Sequence, residues 1–148
     1  MKKVKIYSDG ACSKNPGPGG WAFIIKFNEH YLEKSGGEEK TTNNRMELLA
    51  VINALKSLKE PCEVLIYTDS KYVVDSIEKG WVFRWEQNNW MKNKKQKALN
   101  KDLWQQLLLL LKIHKTYFSW VKGHASCEEN NRCDKLAVLE YKKFQQNK

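Results

Sequence analysis

Val64-Leu65-Ile66-Tyr67-Thr68-Asp69-Ser70 reads as a short strand that ends on an acid and runs straight into a serine suited to capping a helix. It is apolar on both faces, as a buried central strand should be. Near the start of the chain, Val4-Lys5-Ile6-Tyr7-Ser8-Asp9 repeats the shape and again ends on an acid. Between the two lies an amphipathic helix: Leu48, Val51, Ile52, Leu55 and Leu58 keep helical spacing, and Pro61 bars continuation. Strands joined by a crossover helix pair in parallel, so the class is α/β.

Working outward, the first strand covers Lys3 to Ser8 and leads into a turn-rich loop from Gly10 to Gly20. Trp21 to Phe27 and His30 to Glu38 read as a hairpin across Asn28-Glu29, with Gly36-Gly37 weakening the third strand or marking a bulge. Asn44-Arg45-Met46-Glu47 has the spacing of a capping box with Asn44 as N-cap, which puts Glu47 in a helix's first turn. After Asp69 a helix runs from Ser70 to Lys79 and stops at Gly80. A helical start at Trp81 and Trp85 follows, then a helix from Asp102 to Lys112 with Leu103, Leu107, Leu110 and Leu111 on one stripe. Thr116 to Val121 is the last strand, and Asn130 to Gln145 a closing helix with Asp134 in its first turn. This order predicts a five-stranded mixed sheet with helices on both faces.

A length of 148 residues suits one domain, 1–148, with a real core. With 41% hydrophobic and 29% charged residues the chain is globular rather than disordered. Its apolar stretches are too short for a bilayer, which needs about 20 residues, and no apolar signal segment follows Met1-Lys2-Lys3. A cytoplasmic protein is expected, with no membrane association. Cys12, Cys62, Cys127 and Cys133 lack the short paired spacings of a zinc site and are expected to be reduced, structural thiols. No heptad or obligate protein partner stands out, so a monomer is expected.

The formal charge of +9 favours a polyanionic partner. From Arg84 to Lys101, six cations face the single acid Glu86, which supplies +5 of that +9 among Trp81, Trp85 and Trp90. The plain reading is a tryptophan-rich packing patch with a solvated lysine face. The functional reading is a nucleic-acid grip.

Asp9, Glu47, Asp69 and Asp134 are distant in sequence, but each falls at a strand end or a helix start. Ligands of open α/β sheets gather beyond the carboxyl ends of the strands. Carboxylates gathered there repel unless a divalent cation neutralises them, and hard oxygen donors suit Mg²⁺ or Mn²⁺. Singly, each acid has a structural explanation: a turn at Asp9-Gly10, caps at Glu47 and Asp69, a dipole partner at Asp134. Jointly they indicate a metal-dependent phosphodiesterase.

The chain resembles the bacterial type 1 ribonuclease H family over nearly its whole length. The matching stretches are Tyr7-Ser8-Asp9-Gly10-Ala11-Cys12, Asn15-Pro16-Gly17-Pro18-Gly19-Gly20-Trp21, Thr41-Thr42-Asn43-Asn44-Arg45-Met46-Glu47, Thr68-Asp69-Ser70, Trp120-Val121-Lys122-Gly123-His124, and Glu129-Asn130 with Arg132-Cys133-Asp134. The resemblance implies a ribonuclease H-like fold and hydrolysis of the RNA strand of RNA–DNA hybrids, leaving a 3′-hydroxyl and a 5′-phosphate. It assigns the metal-binding carboxylates to Asp9, Glu47, Asp69 and Asp134. Two Mg²⁺ ions, or Mn²⁺ as a substitute, would bridge the scissile phosphate, activate a water and stabilise the leaving oxygen. It gives His124, otherwise a plain loop histidine, a part in proton transfer or product release. It brings Asn43 and Asn44 to the backbone near the cut, with Cys12, Asn15 and Thr42 close by.

The segment from Trp81 to Lys101 resembles the family's basic handle, with Trp81, Arg84, Trp85, Lys94 and Lys95 as hybrid contacts. Two places depart from the family pattern: Glu86-Gln87-Asn88 where cations are usual, and Lys71 where glutamine is frequent. The rival readings are a hybrid-binding module without catalysis and a transposase- or resolvase-like nuclease acting on DNA. All four carboxylates with His124 argue against the first, and the Trp-bearing basic segment with Asn43-Asn44 against the second.

Overall fold

The computed structural model describes residues 1–122 and 127–146. Strands β1 (Lys2–Cys12), β2 (Gly17–Phe27), β3 (His30–Thr41), β4 (Cys62–Thr68) and β5 (Lys115–Trp120) form one mixed sheet, ordered β3-β2-β1-β4-β5. The first three make an antiparallel meander, and β4 and β5 run parallel to β1. The helices are α1 (Asn43–Lys56), α2 (Lys71–Glu78), α3 (Trp81–Gln87), α4 (Lys101–Ile113) and α5 (Glu128–Gln146).

Alternation along β1 builds two cores, because successive side chains leave a strand on opposite faces. Val4 and Ile6 join Val64, Ile66, Leu48, Val51, Ile52, Leu55 and fully buried Trp104 beneath α1 and α4. Tyr7 points the other way and joins Ala22, Ile24, Cys133 and Ala137 beneath α5. Trp90 is buried in the first core as well, anchoring the segment after α3. All four cysteines are free thiols.

Several boundaries differ from the sequence expectation for identifiable reasons. The loop expected from Gly10 to Gly20 is mostly sheet: β1 runs on to Cys12 and β2 starts at Gly17. A Cβ at Gly20 would collide with the Ala137 carbonyl, so glycine here lets α5 lie directly on the strand. Gly36 and Gly37 pair in regular register with Trp21 and Gly20, and the irregularity falls between Gly17 and Gly19 instead. β4 is buried on one face only, with Glu63, Leu65 and Tyr67 half-covered on the other. Thr42, not Asn44, caps α1, its hydroxyl accepting the Arg45 N–H at 3.3 Å, so Glu47 lies beyond the first turn. α5 begins at Glu128 rather than Asn130, which moves Asp134 into its second turn.

Candidate active site

β1 and β4 stay in parallel register as far as Tyr7 and Tyr67. Beyond that pair β1 continues against β2, with Asp9 opposite Ala22, while β4 ends at Thr68. Asp9 and Asp69 therefore stand side by side, each two residues past the last parallel pair. Asn130 of α5 spans the opening: its side-chain amide donates to the carbonyls of Ser8 at 3.2 Å and Tyr67 at 3.1 Å. Asp69 is held from the β5 side, where the Trp120 indole N–H donates to its carbonyl at 3.0 Å.

Glu47 arrives through a close backbone approach. A Cβ on Gly10 would meet the backbone of Met46 and Glu47, so only glycine allows α1 to lie this near β1. Carboxylate oxygens of Asp9, Glu47 and Asp69 consequently lie within 4.8 Å of one another. Asp134 lines the same cleft, about 390 Å³ in volume, without joining that tight group of three.

Asp9 and Glu47 are each only 5% exposed. Burial, reinforced by the Asp69 charge, pushes the Asp9 carboxyl up to about 8 from its ordinary 3.8. Burial and then the charges of Asp9 and Asp69 hold Glu47 well above the usual carboxylate range. Glu47 Oε1 is buried without a hydrogen-bond partner among the described residues. A buried carboxylate with an orphaned oxygen, grouped within 4.8 Å of two other acids, suits a cation better than a proton. The donors are all oxygen, which favours a hard ion over zinc. The residues thus fit a divalent metal.

The RNase H family model matches residues 1–142. This chain belongs to the RNase H family. A ribonuclease H of Acetivibrio thermocellus is 56% identical over 143 residues, covering 97% of each chain. Among solved structures, LC9-RNase H1, a type 1 RNase H with the type 2 active-site motif, superposes with a TM-score of 0.84 at 29% identity. That match covers 97% of this chain and 74% of LC9-RNase H1. LC11-RNase H1, solved in complex with an RNA/DNA hybrid, shares the fold with a TM-score of 0.72 at 24% identity, covering 95% of this chain and 97% of its own. The enzyme class that goes with membership is ribonuclease H, an endoribonuclease.

The other expected site residues of this RNase H chain fall into two groups. Cys12, Asn43 and Asn44 line the acidic cleft. Asn15 and Thr42 stand behind them: the Asn15 side chain accepts the Asn43 N–H at 2.8 Å, and Thr42 caps α1. The Cys12 thiol donates to the Lys14 carbonyl at 2.6 Å, which ties down the turn before β2. Trp81, Arg84, Trp85, Lys94 and Lys95 are not among the residues lining the cleft; they belong to α3 and the loop after it. Trp85 packs edge-on against Trp104 at 6.4 Å, and Lys79 lies over the Trp81 ring at 5.5 Å. Arg84, Lys94 and Lys95 are exposed. His124 lies outside the described residues.

Two positioning residues carried no role in the sequence reading. Asn130 was legible only as part of a matching stretch, because its carbonyl partners come from two strands far away in the chain. Arg45 grips Asp102 through two hydrogen bonds of 2.9 and 2.7 Å and reaches the Asn100 side chain at 3.3 Å. It ties the first turn of α1 to the start of α4, where the basic segment ends. Its proximity to Glu47 in the sequence was the available signal.

Proposed function

We propose that this chain hydrolyses the RNA strand of RNA–DNA hybrids by in-line displacement at Asp9, Glu47, Asp69 and Asp134. The reaction uses two divalent cations, Mg²⁺ with Mn²⁺ as a substitute, and leaves a 3′-hydroxyl and a 5′-phosphate. The observation that carries this reading is the group formed by buried Asp9 and Glu47 with half-buried Asp69, whose oxygens lie within 4.8 Å. Such a group is costly in a cation-free protein, and the cost is removed when a metal binds. When bound, the cations supply charge neutralisation at the phosphate, an activated water and stabilisation of the leaving oxygen.

The chain's own residues do the rest. Asp9 and Asp69 project from the paired strand ends, Glu47 closes the group from α1, and Asp134 adds an acid from α5. Asn43 and Asn44, at the rim of the cleft, are placed to meet sugar and phosphate groups, with Cys12, Asn15 and Thr42 shaping that rim. A ribose 2′-hydroxyl read there separates the RNA strand from DNA. The segment 81–101 acts as a handle, with Arg84, Lys94 and Lys95 on phosphates and Trp81 and Trp85 stiffening it. His124 serves proton transfer or product release. The chain works as one domain and as a monomer.

A cleavage assay on an RNA–DNA hybrid, duplex DNA and duplex RNA, each with Mg²⁺ or EDTA, tests this reading. Cutting of the RNA strand in the hybrid alone, with Mg²⁺ alone, is expected. Cutting of duplex DNA would favour a DNA nuclease, and tight hybrid binding without cutting would favour a binding module.

A further inference from the structure

α5 buries Asn130, Cys133 and Ala137, a stripe at helical spacing. One turn further on, the same stripe reaches Tyr141. Tyr141 is half-buried, yet it joins neither apolar core. It lines the acidic cleft instead, as Asp134 does two helical turns earlier. Its neighbours on α5 face β3: Glu140 accepts the Ser35 hydroxyl at 2.9 Å, and Phe144 lies against Gly37.

Among the described residues Tyr141 has no hydrogen-bond, ion-pair or ring partner. Packing alone does not call for its oxygen, since leucine serves a half-covered position at the end of a core stripe. A phenol on the cleft wall, with no protein group claiming its O–H, is available to a ligand. The chemistry of the cleft narrows which group that is. α5 contributes Asp134 and Tyr141, neither of them a cation. The one cation among the described lining residues is Lys71 of α2, whose ammonium lies 4.7 Å from the centre of the Trp120 ring in β5. Phosphate oxygens only accept and are met best by charged donors. A neutral phenol donates and accepts at once, which matches another hydroxyl. In an RNA–DNA hybrid that hydroxyl is the ribose 2′-OH, present on the RNA strand alone. Seven residues of helix separate Tyr141 from Asp134 by about 10 Å, which places it over a nucleotide beside the cut rather than at the reacting phosphate.

We infer that Tyr141 is a specificity-determining residue: its phenol hydrogen-bonds the 2′-hydroxyl of an RNA-strand nucleotide next to the one being cut. This deepens the hybrid-hydrolysis reading and rests on it. A deoxyribose at that place offers the phenol no partner, so the contact discriminates by sugar and not by base. It is a reading point on α5, separate from Asn43 and Asn44 on α1.

The test uses a set of fluorescently labelled hybrids in which a single 2′-deoxynucleotide is walked along the RNA strand. Binding to wild type and Tyr141→Phe is measured in EDTA across a salt series, and kcat/KM for cleavage in Mg²⁺ alongside. On the all-RNA hybrid, Tyr141→Phe should bind about three- to tenfold more weakly, with the log–log salt slope unchanged because no charge is removed. At one position the 2′-deoxy substitution should cost wild type a similar factor and cost Tyr141→Phe nothing further. At every other position the two proteins should lose equally, and kcat/KM should follow the same pattern. The cycle compares substrates on one protein, so any change in the stability of α5 cancels. Equal binding by wild type and Tyr141→Phe on the all-RNA hybrid would overturn the inference. So would equal 2′-deoxy losses in both proteins at all positions, or a fall in the salt slope, which would point to a phosphate contact instead. Because the cycle is read without metal, the two readings separate. A wild type that binds hybrid but never cuts it sinks the hydrolysis proposal, while the binding cycle still decides whether Tyr141 meets a 2′-hydroxyl.

Discussion

Asp69 and Asp9 do different things despite their equivalent places past the β1–β4 pairing. Within the tight group of three, Asp69 is the acid best placed to face a ligand, being less buried than Asp9 and Glu47. Asp69→Asn should abolish hybrid cleavage while hybrid binding in EDTA persists, since most affinity comes from phosphate contacts elsewhere. Cleavage within about tenfold of wild type would show that Asp69 is not a metal ligand. Asp9 is instead a source of strain in the metal-free protein. Its folded-state carboxyl is raised to about 8 from 3.8. Its contribution to stability is therefore fully present below pH 3.8 and withdrawn as pH rises through about 8. In EDTA, Asp9→Asn should raise Tm at pH 8, and the gain should shrink towards pH 4. A scanning calorimetry series that found the variant less stable than wild type at pH 8 would refute this account.

At the level of elements, one buried histidine joins the end of α4 to the start of β4. The Cys62 N–H donates to His114 Nδ1 at 3.1 Å, and His114 is 5% exposed. Burial lowers its pKa below the ordinary 6.5, against a raising effect from its bond to the Leu55 carbonyl. The neutral ring is thus the folded form: the stability it gives is present above pH 6.5 and lost as pH falls through its lower folded value. His114→Phe should cost about 1–3 kcal/mol at pH 8 by orphaning the Cys62 N–H. The gap to wild type should narrow below pH 6.5, as read by urea titration at several pH values. A gap that stays constant with pH would mean that His114 does not titrate with folding.

The basic segment is a second element with its own test. Trp90 sits at φ 62, a costly conformation for a bulky residue, and is retained with its indole in the core. Beyond it the chain closes on itself: Lys92 N–H donates to Gln96 at 2.9 Å, and Asn93 Oδ1 accepts from Lys95 and Gln96, both at 2.9 Å. Lys94 and Lys95 therefore project from an ordered tip. Replacing both with Ala should weaken hybrid binding and lower the log–log salt slope by about 0.9 per lysine. A slope equal to that of wild type would make them a solvated face.

On the scale of the molecule, the cleft exists because helices from both faces of the sheet press onto the same strand ends. α5 reaches it across β2, where Gly20 accepts the Ala137 carbonyl against its own backbone. Gly20→Ala should lift α5, costing roughly 1–3 kcal/mol as an overpacked contact does. Because Asp134 and Asn130 ride on α5, cleavage should fall together with the urea midpoint. Wild-type stability and activity in this variant would show that the α5 contact can give way without moving the site.

The sequence by itself determined the element order, the mixed five-stranded sheet and the candidate carboxylates, because these are written in local patterns: apolar runs, caps and acids at their ends. It misplaced what depends on a partner across space. Gly17-Pro18-Gly19-Gly20 looks like loop in isolation, yet its first residue opens β2 and its last, Gly20, is bare so that α5 can lie on the strand. Glu47 looks like a cap partner, yet Thr42 takes the cap and leaves the acid to turn towards Asp9. The Asn130 amide and the Lys71–Trp120 contact have no local signature at all. Each joins residues at least 49 positions apart, as between Lys71 and Trp120, and only the packing of α5 and β5 against the central strands brings them together.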